Sequence, residues 1–101
     1  MGNFNKRTTQ KMNTVKYQIK ENVLFQKVVE ETVILEPNTG EYFTLDPIGT
    51  VMVEKIQDGL TFDEVVNSIT DVYDVEAEEV ENDLNQLISE MKDKDLLTEI
   101  S

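Results

Sequence analysis

The apolar residues of this chain change period at Asp46-Pro47. Before that point they alternate or run in short blocks of β-branched and aromatic residues, and after it they recur every three or four positions. Strands collected at one end and helices at the other cannot be built from alternating βαβ units. The pattern instead predicts an α+β fold in which three helices lie on one side or end of a small antiparallel sheet. With 101 residues the chain has enough surface to bury for one core and too little for two.

Within the first half, Val15, Tyr17 and Ile19 alternate with Lys16, Gln18 and Lys20, which fits a short strand or an extended lead-in. Val23 to Val29 and Thr32 to Glu36 read as two antiparallel strands with Glu30-Glu31 between them as a turn or a solvent-facing break. Pro37-Asn38-Thr39-Gly40 supplies a fixed φ, a turn former and a residue free to take positive φ, so Glu41 to Leu45 returns as a third strand. As the last strand of a meander it should keep one edge unpaired.

Asp46 is placed to cap a helix that Pro47 opens, with Ile48, Val51, Met52 and Ile56 on its buried side and Gly59 just past its end, near residue 57. Thr61-Phe62-Asp63-Glu64 is a capping box, and Val65, Val66 and Ile69 bury a second helix expected to end near Tyr73. Val80, Leu84, Leu87, Ile88 and Met91 form one stripe of a third and longest helix, about 76 to 95, and Leu96, Leu97 and Ile100 close the chain. The most economical packing is winged-helix-like, with the second and third helices as a helix-turn-helix pair and the three-stranded antiparallel sheet as its wing.

Composition removes most catalysis. The chain has no Cys and no His, so thiolate chemistry, disulfides, the usual zinc sets and the Ser/His/Asp triad are all excluded. Residues 1 to 20 hold Lys6, Arg7, Lys11, Lys16 and Lys20 without an acid, whereas residues 21 to 101 hold all 21 acids against Lys27, Lys55, Lys92 and Lys94. Residues 1 to 14 are read as a flexible basic tail and 15 to 101 as the folded domain. The opening stretch lacks the apolar run of a signal or a membrane span, and Lys6 stands where an N-myristoylation motif needs Ser or Thr, so the expected location is cytoplasmic with no membrane partner. The acidic cluster Asp71, Asp74, Glu76, Glu78, Glu79, Glu81 and Asp83 lacks calcium-loop spacing and reads as a solvated helix start. The second helix of the helix-turn-helix pair would carry eight acids against Lys92 and Lys94, the wrong sign for phosphate, so nucleic acid is not expected as a partner. No cofactor is expected and no enzymatic activity. A regulator acting through protein contacts or, less readily, DNA is the alternative.

What remains is a surface for recognition. The unpaired edge of Glu41, Tyr42, Phe43, Thr44 and Leu45 can take an extended peptide as an extra strand, with Leu84, Leu87, Ile88 or Met91 of the third helix lining a groove beside it. The competing reading places Val80, Leu84 and Ile88 in the core.

The stretch from Thr32 to Asp46, TVILEPNTGEYFTLD, is similar to the strand, turn, strand and helix-cap segment of PqqD-like proteins. Pro47 to Ile56, Asp58 to Val65, Tyr73-Asp74-Val75 and a third helix ending in Leu96-Leu97 follow in that family's order, so the resemblance spans residues 23 to 100. It implies a non-catalytic recognition element for precursor peptides that are made ribosomally and then modified. In such elements the leader region of the precursor lies as an added strand between the third strand and the third helix. Carried onto this sequence, the leader would pair with Glu41 to Leu45 and rest against Asp83, Leu84, Leu87 and Ile88, with Val80 and Met91 completing the candidate set. The implied partners are the precursor's leader peptide and a modifying enzyme such as a radical SAM enzyme or a leader peptidase or cyclase. Many relatives have a large aromatic in the first helix where this chain has Met52 and Val53, and a better helix cap where it has Glu76; neither departure is expected to touch the groove. The acidity favours a leader that carries Lys or Arg near its docking motif.

Overall fold

The computed structural model describes residues 13–29 and 31–100, so most of the basic tail lies outside the described residues. The elements are β1 (Tyr17–Ile19), β2 (Leu24–Val28), β3 (Glu31–Leu35), β4 (Tyr42–Leu45), α1 (Pro47–Gln57), α2 (Phe62–Thr70), α3 (Ala77–Asp93) and β5 (Leu97–Glu99). The class is α+β, with a three-stranded antiparallel sheet in the order β2-β3-β4 and three helices following it.

Local chemistry sets these boundaries. The Asp46 carboxylate accepts the Gly49 amide at 2.7 Å and caps α1, with Pro47 in the first turn. At α2 the Thr61 hydroxyl accepts the Glu64 amide at 3.3 Å while the Glu64 carboxylate accepts the Thr61 amide at 2.8 Å, so two otherwise orphaned donors are satisfied. Glu76 makes no side-chain bond at the start of α3, in keeping with its poor capping chemistry. Gly40 leaves the β3-β4 hairpin at φ 78°, where a Cβ would be strained. Within that hairpin the buried Glu36 carboxylate accepts the Asn38 amide and the Asn22 side-chain amide, each at 2.9 Å. Its own amide donates to the Glu41 carbonyl at 2.9 Å.

Three expectations need correction. Glu31 is strand, opposite Val28, so the β2-β3 connection is residues 29 and 30, one position earlier than the expected Glu30-Glu31 turn. The second helix stops at Thr70, three residues before Tyr73: Asp71 is its C-cap, with an amide that still donates to the Asn67 carbonyl, and the Val72 amide closes a tighter turn on the Ile69 carbonyl. The chain end is a fifth strand rather than a closing apolar segment: β5 pairs antiparallel with β1, setting Tyr17 opposite Glu99 and Ile19 opposite Leu97. This second sheet ties the two ends together, with the Lys20 amide on the Leu96 carbonyl at 3.0 Å and the Ile100 amide on the Lys16 carbonyl at 2.9 Å.

The core lies where α1 meets everything else. Met52, Val53 and Ile56 pack with Ile34 and Leu45 of the sheet, Val65 and Ile69 of α2, and Leu84, Ile88 and Met91 of α3. Burying a Leu or Ile side chain of this kind is worth roughly 1.5–3 kcal/mol each, so this one cluster dominates stability. Thr50 of α1 donates to Thr32 of β3 at 3.0 Å, a polar tie between helix and sheet. Asn13 is held against α2: its amide donates to the Asp63 carboxylate at 2.7 Å, and its carbonyl accepts the Asp63 amide at 3.1 Å. Among the described residues no helix is long and apolar enough to cross a membrane.

Candidate functional site

Strand β4 pairs only with β3 among the described residues, in the register Thr32 to Leu45, Val33 to Thr44, Ile34 to Phe43 and Leu35 to Tyr42. In an antiparallel ladder, pairs that exchange hydrogen bonds alternate with pairs that do not. The bond from the Glu36 amide to the Glu41 carbonyl fixes the phase. Phe43 and Leu45 therefore spend their backbone groups on β3, and Tyr42 and Thr44 turn their N–H and C=O outward to the open edge. Side chains alternate the other way. Phe43 and Leu45 face the helices, half-buried and buried, while Tyr42 and Thr44 stand exposed on the far face.

This edge opens into a groove of about 300 Å³ between β4 and α3. Phe43, Thr44 and Leu45 form one wall, and Asp83, Gln86, Leu87 and Glu90 form the other. Those four positions are spaced three, one and three apart, which places them on one helical face beside the core stripe. The floor comes from α1 and its cap: Asp46, Ile48, Gly49 and Met52. The fit at Gly49 is tight, since a Cβ would stand 3.1 Å from the capping Asp46 carboxylate and 3.4 Å from the Leu45 side chain. At the hairpin end the groove runs into a hollow of about 470 Å³ bordered by Thr39 to Thr44 and Lys94. Lys94 bonds the Glu41 carboxylate there at 3.4 Å and links the end of α3 to the start of β4.

The structure brings together five of the sequence-derived candidates: Phe43, Thr44, Leu45, Asp83 and Leu87. Glu41 and Tyr42 border the adjoining hollow instead. Val80, Leu84, Ile88 and Met91 are buried in the core and do not line the groove. The physical reason is angular: the stripe that closes the core and the stripe that faces the groove sit side by side on α3, and only Leu87 belongs to both. Residues 46, 48, 49, 52, 86 and 90 were not foreseen as part of the groove. Met52 in particular was expected to lie away from it and instead forms its floor. A 3-4-3 reading of α3 started at Asp83 would have found Gln86 and Glu90; nothing local pointed to α1.

Among the described residues no group of three or more His, Cys, Asp or Glu side chains is arranged to hold a metal ion. The groove's polar groups are carboxylates, an amide and outward backbone groups, a set suited to binding an extended chain.

The family described as coenzyme PQQ synthesis protein D (PqqD) matches residues 31–97, two thirds of the chain. The chain belongs to the PqqD family. Among solved structures, one described as TbiB1 in complex with the TbiA(beta) leader peptide is similar at 31% identity and a TM-score of 0.73, over 79% of this chain and 93% of that one. A second, a lasso peptide synthetase B1 complexed with the leader peptide, is 22% identical with a TM-score of 0.75, over 82% of this chain and 98% of that one. The second likeness is one of fold. No curated protein matches the sequence.

Proposed function

We propose that this PqqD-family chain binds the leader region of a ribosomally made precursor peptide as an added strand on the β4 edge, in the groove between β4 and α3, and delivers it to separate enzymes. The observation that carries the reading is the unpaired edge of β4 opening into a groove walled by a helix. Tyr42 and Thr44 each offer one backbone donor and one acceptor, which supply affinity whatever the peptide's sequence. Phe43, Leu87 and Met52 offer apolar surface that selects every second side chain. Two structures similar to the chain hold leader peptides, which supports the same ligand class here.

In this reading the chain performs no catalysis and needs no cofactor. Its partners are a leader peptide and an enzyme that crosslinks, cyclises or cuts the precursor, such as a radical SAM enzyme or a leader peptidase or cyclase, in the cytoplasm.

The test is a titration of the full chain with the leader region of the precursor encoded nearest its gene, followed by amide NMR shifts, with a DNA duplex as control. The expected result is micromolar binding with shifts concentrated at 42–46 and along 83–90. Shifts with DNA and none with the peptide would overturn the proposal.

A further inference from the structure

The groove is not electrically neutral. Asp83 and Glu90 both stand on the α3 wall, seven residues apart, with Leu87 between them on the same face. Among the described residues neither carboxylate pairs with a cation. Lys20, Lys27, Lys92 and Lys94 are committed elsewhere, to Asp95, Glu54, Glu99 and Glu41. Lys94, the one cation among the described residues that borders the hollow next to the groove, is thus already held by Glu41. The apolar surface of Phe43, Ile48, Leu87 and Met52 sits in this same groove.

Two turns of helix separate the carboxylates by about 10 Å along α3. In an added strand, same-side positions recur about every 6.8 Å, so residues i and i+4 lie about 13.5 Å apart with i+2 midway. The stems of Lys and Arg are long enough to absorb the difference. We infer that the groove selects leader peptides bearing a basic, an apolar and a basic residue on three successive same-side positions, with Asp83 and Glu90 receiving the bases and the Phe43, Leu87 and Met52 surface receiving the apolar side chain. The inference rests on the strand-addition reading and adds the class of peptide that reading leaves open. Charge complementarity of this kind also speeds encounter and rejects acidic competitors.

The test is selection of a displayed library of random extended peptides on the immobilised full chain, run in parallel on D83N/E90Q and on E78Q/E79Q. The second double variant makes the same change in net charge on the same helix, at acids away from the groove. The expected result is enrichment of the basic-x-apolar-x-basic pattern on the wild-type chain and on E78Q/E79Q, lost on D83N/E90Q. Selected peptides should bind D83N/E90Q roughly three- to tenfold more weakly, a gap that narrows as salt is raised. Enrichment of peptides without basic bias, or a bias unchanged in D83N/E90Q, overturns the charge inference while leaving strand addition intact. Failure to enrich any peptide overturns the strand-addition reading itself.

Discussion

Thr44→Pro separates strand addition from every other way a peptide might touch this surface. The Thr44 amide points away from β3, because Thr44 and Val33 form a pair that does not exchange hydrogen bonds. Proline on an outward edge position leaves the ladder intact, so the stability cost should be about 1 kcal/mol or less. An added strand, by contrast, loses the bond donated by that amide and meets a ring where its carbonyl would sit. The lost bond accounts for about 1 kcal/mol and the stranded peptide carbonyl for at least as much again, so leader affinity should fall by about 2 kcal/mol, roughly 30-fold. Fluorescence anisotropy with a labelled leader peptide measures the loss, and a thermal melt with an amide spectrum verifies the fold. Phe43→Pro is the contrasting variant, since Phe43 bonds Ile34 across the ladder and its proline should unfold the edge. A folded T44P that binds the leader within twofold of wild type would falsify strand addition at β4.

Burial first, and the Glu99 carboxylate facing it across the β1-β5 ladder second, raise the Tyr17 phenol above its ordinary pKa of 10.0. The unfolded chain therefore releases this proton at lower pH than the folded one, so stability is full below about pH 10 and falls as pH rises beyond it. Melts across that range should show a steeper alkaline loss for wild type than for Tyr17→Phe; parallel curves would mean the phenol contributes nothing. Thr61→Ala removes one half of the capping box and should cost about 1–2 kcal/mol, read as a fall of several degrees in Tm. Glu76→Asp puts a competent cap on α3, where none bonds now, and should add about 0.5 kcal/mol; a lower Tm would show that the Glu76 side chain serves another contact.

The helices and the β3-β4 hairpin could be read from the sequence because their signals are local. Asp46-Pro47, the capping box at Thr61 and the Pro37 to Gly40 turn each satisfy backbone groups within a few residues. The β1-β5 sheet was not legible as a sheet. Its strands are three residues long, and what makes them strands is a partner some eighty residues away, so no window of sequence contains the cause. The end of α2 failed for a related reason: Val72 and Tyr73 look like a continuing apolar stripe, yet Val72 is 75% exposed and packs on nothing that would hold another turn.

The same division between local and distant causes governs the site. The edge of β4 follows from strand order and could be anticipated, but the opposite wall depends on the rotation of α3 about its axis, which is fixed by what the helix buries. Apolar periodicity reports that buried stripe, so it selected Val80, Leu84, Ile88 and Met91, the residues that hold α3 in place. A groove face open to solvent stays partly wet, and its residues on α3 are accordingly Asp83, Gln86 and Glu90, with Leu87 as the apolar member. Reading a binding helix by its hydrophobic positions finds its anchor. The groove-facing residues lie one helical step round from that stripe, as polar side chains next to an unpaired strand edge.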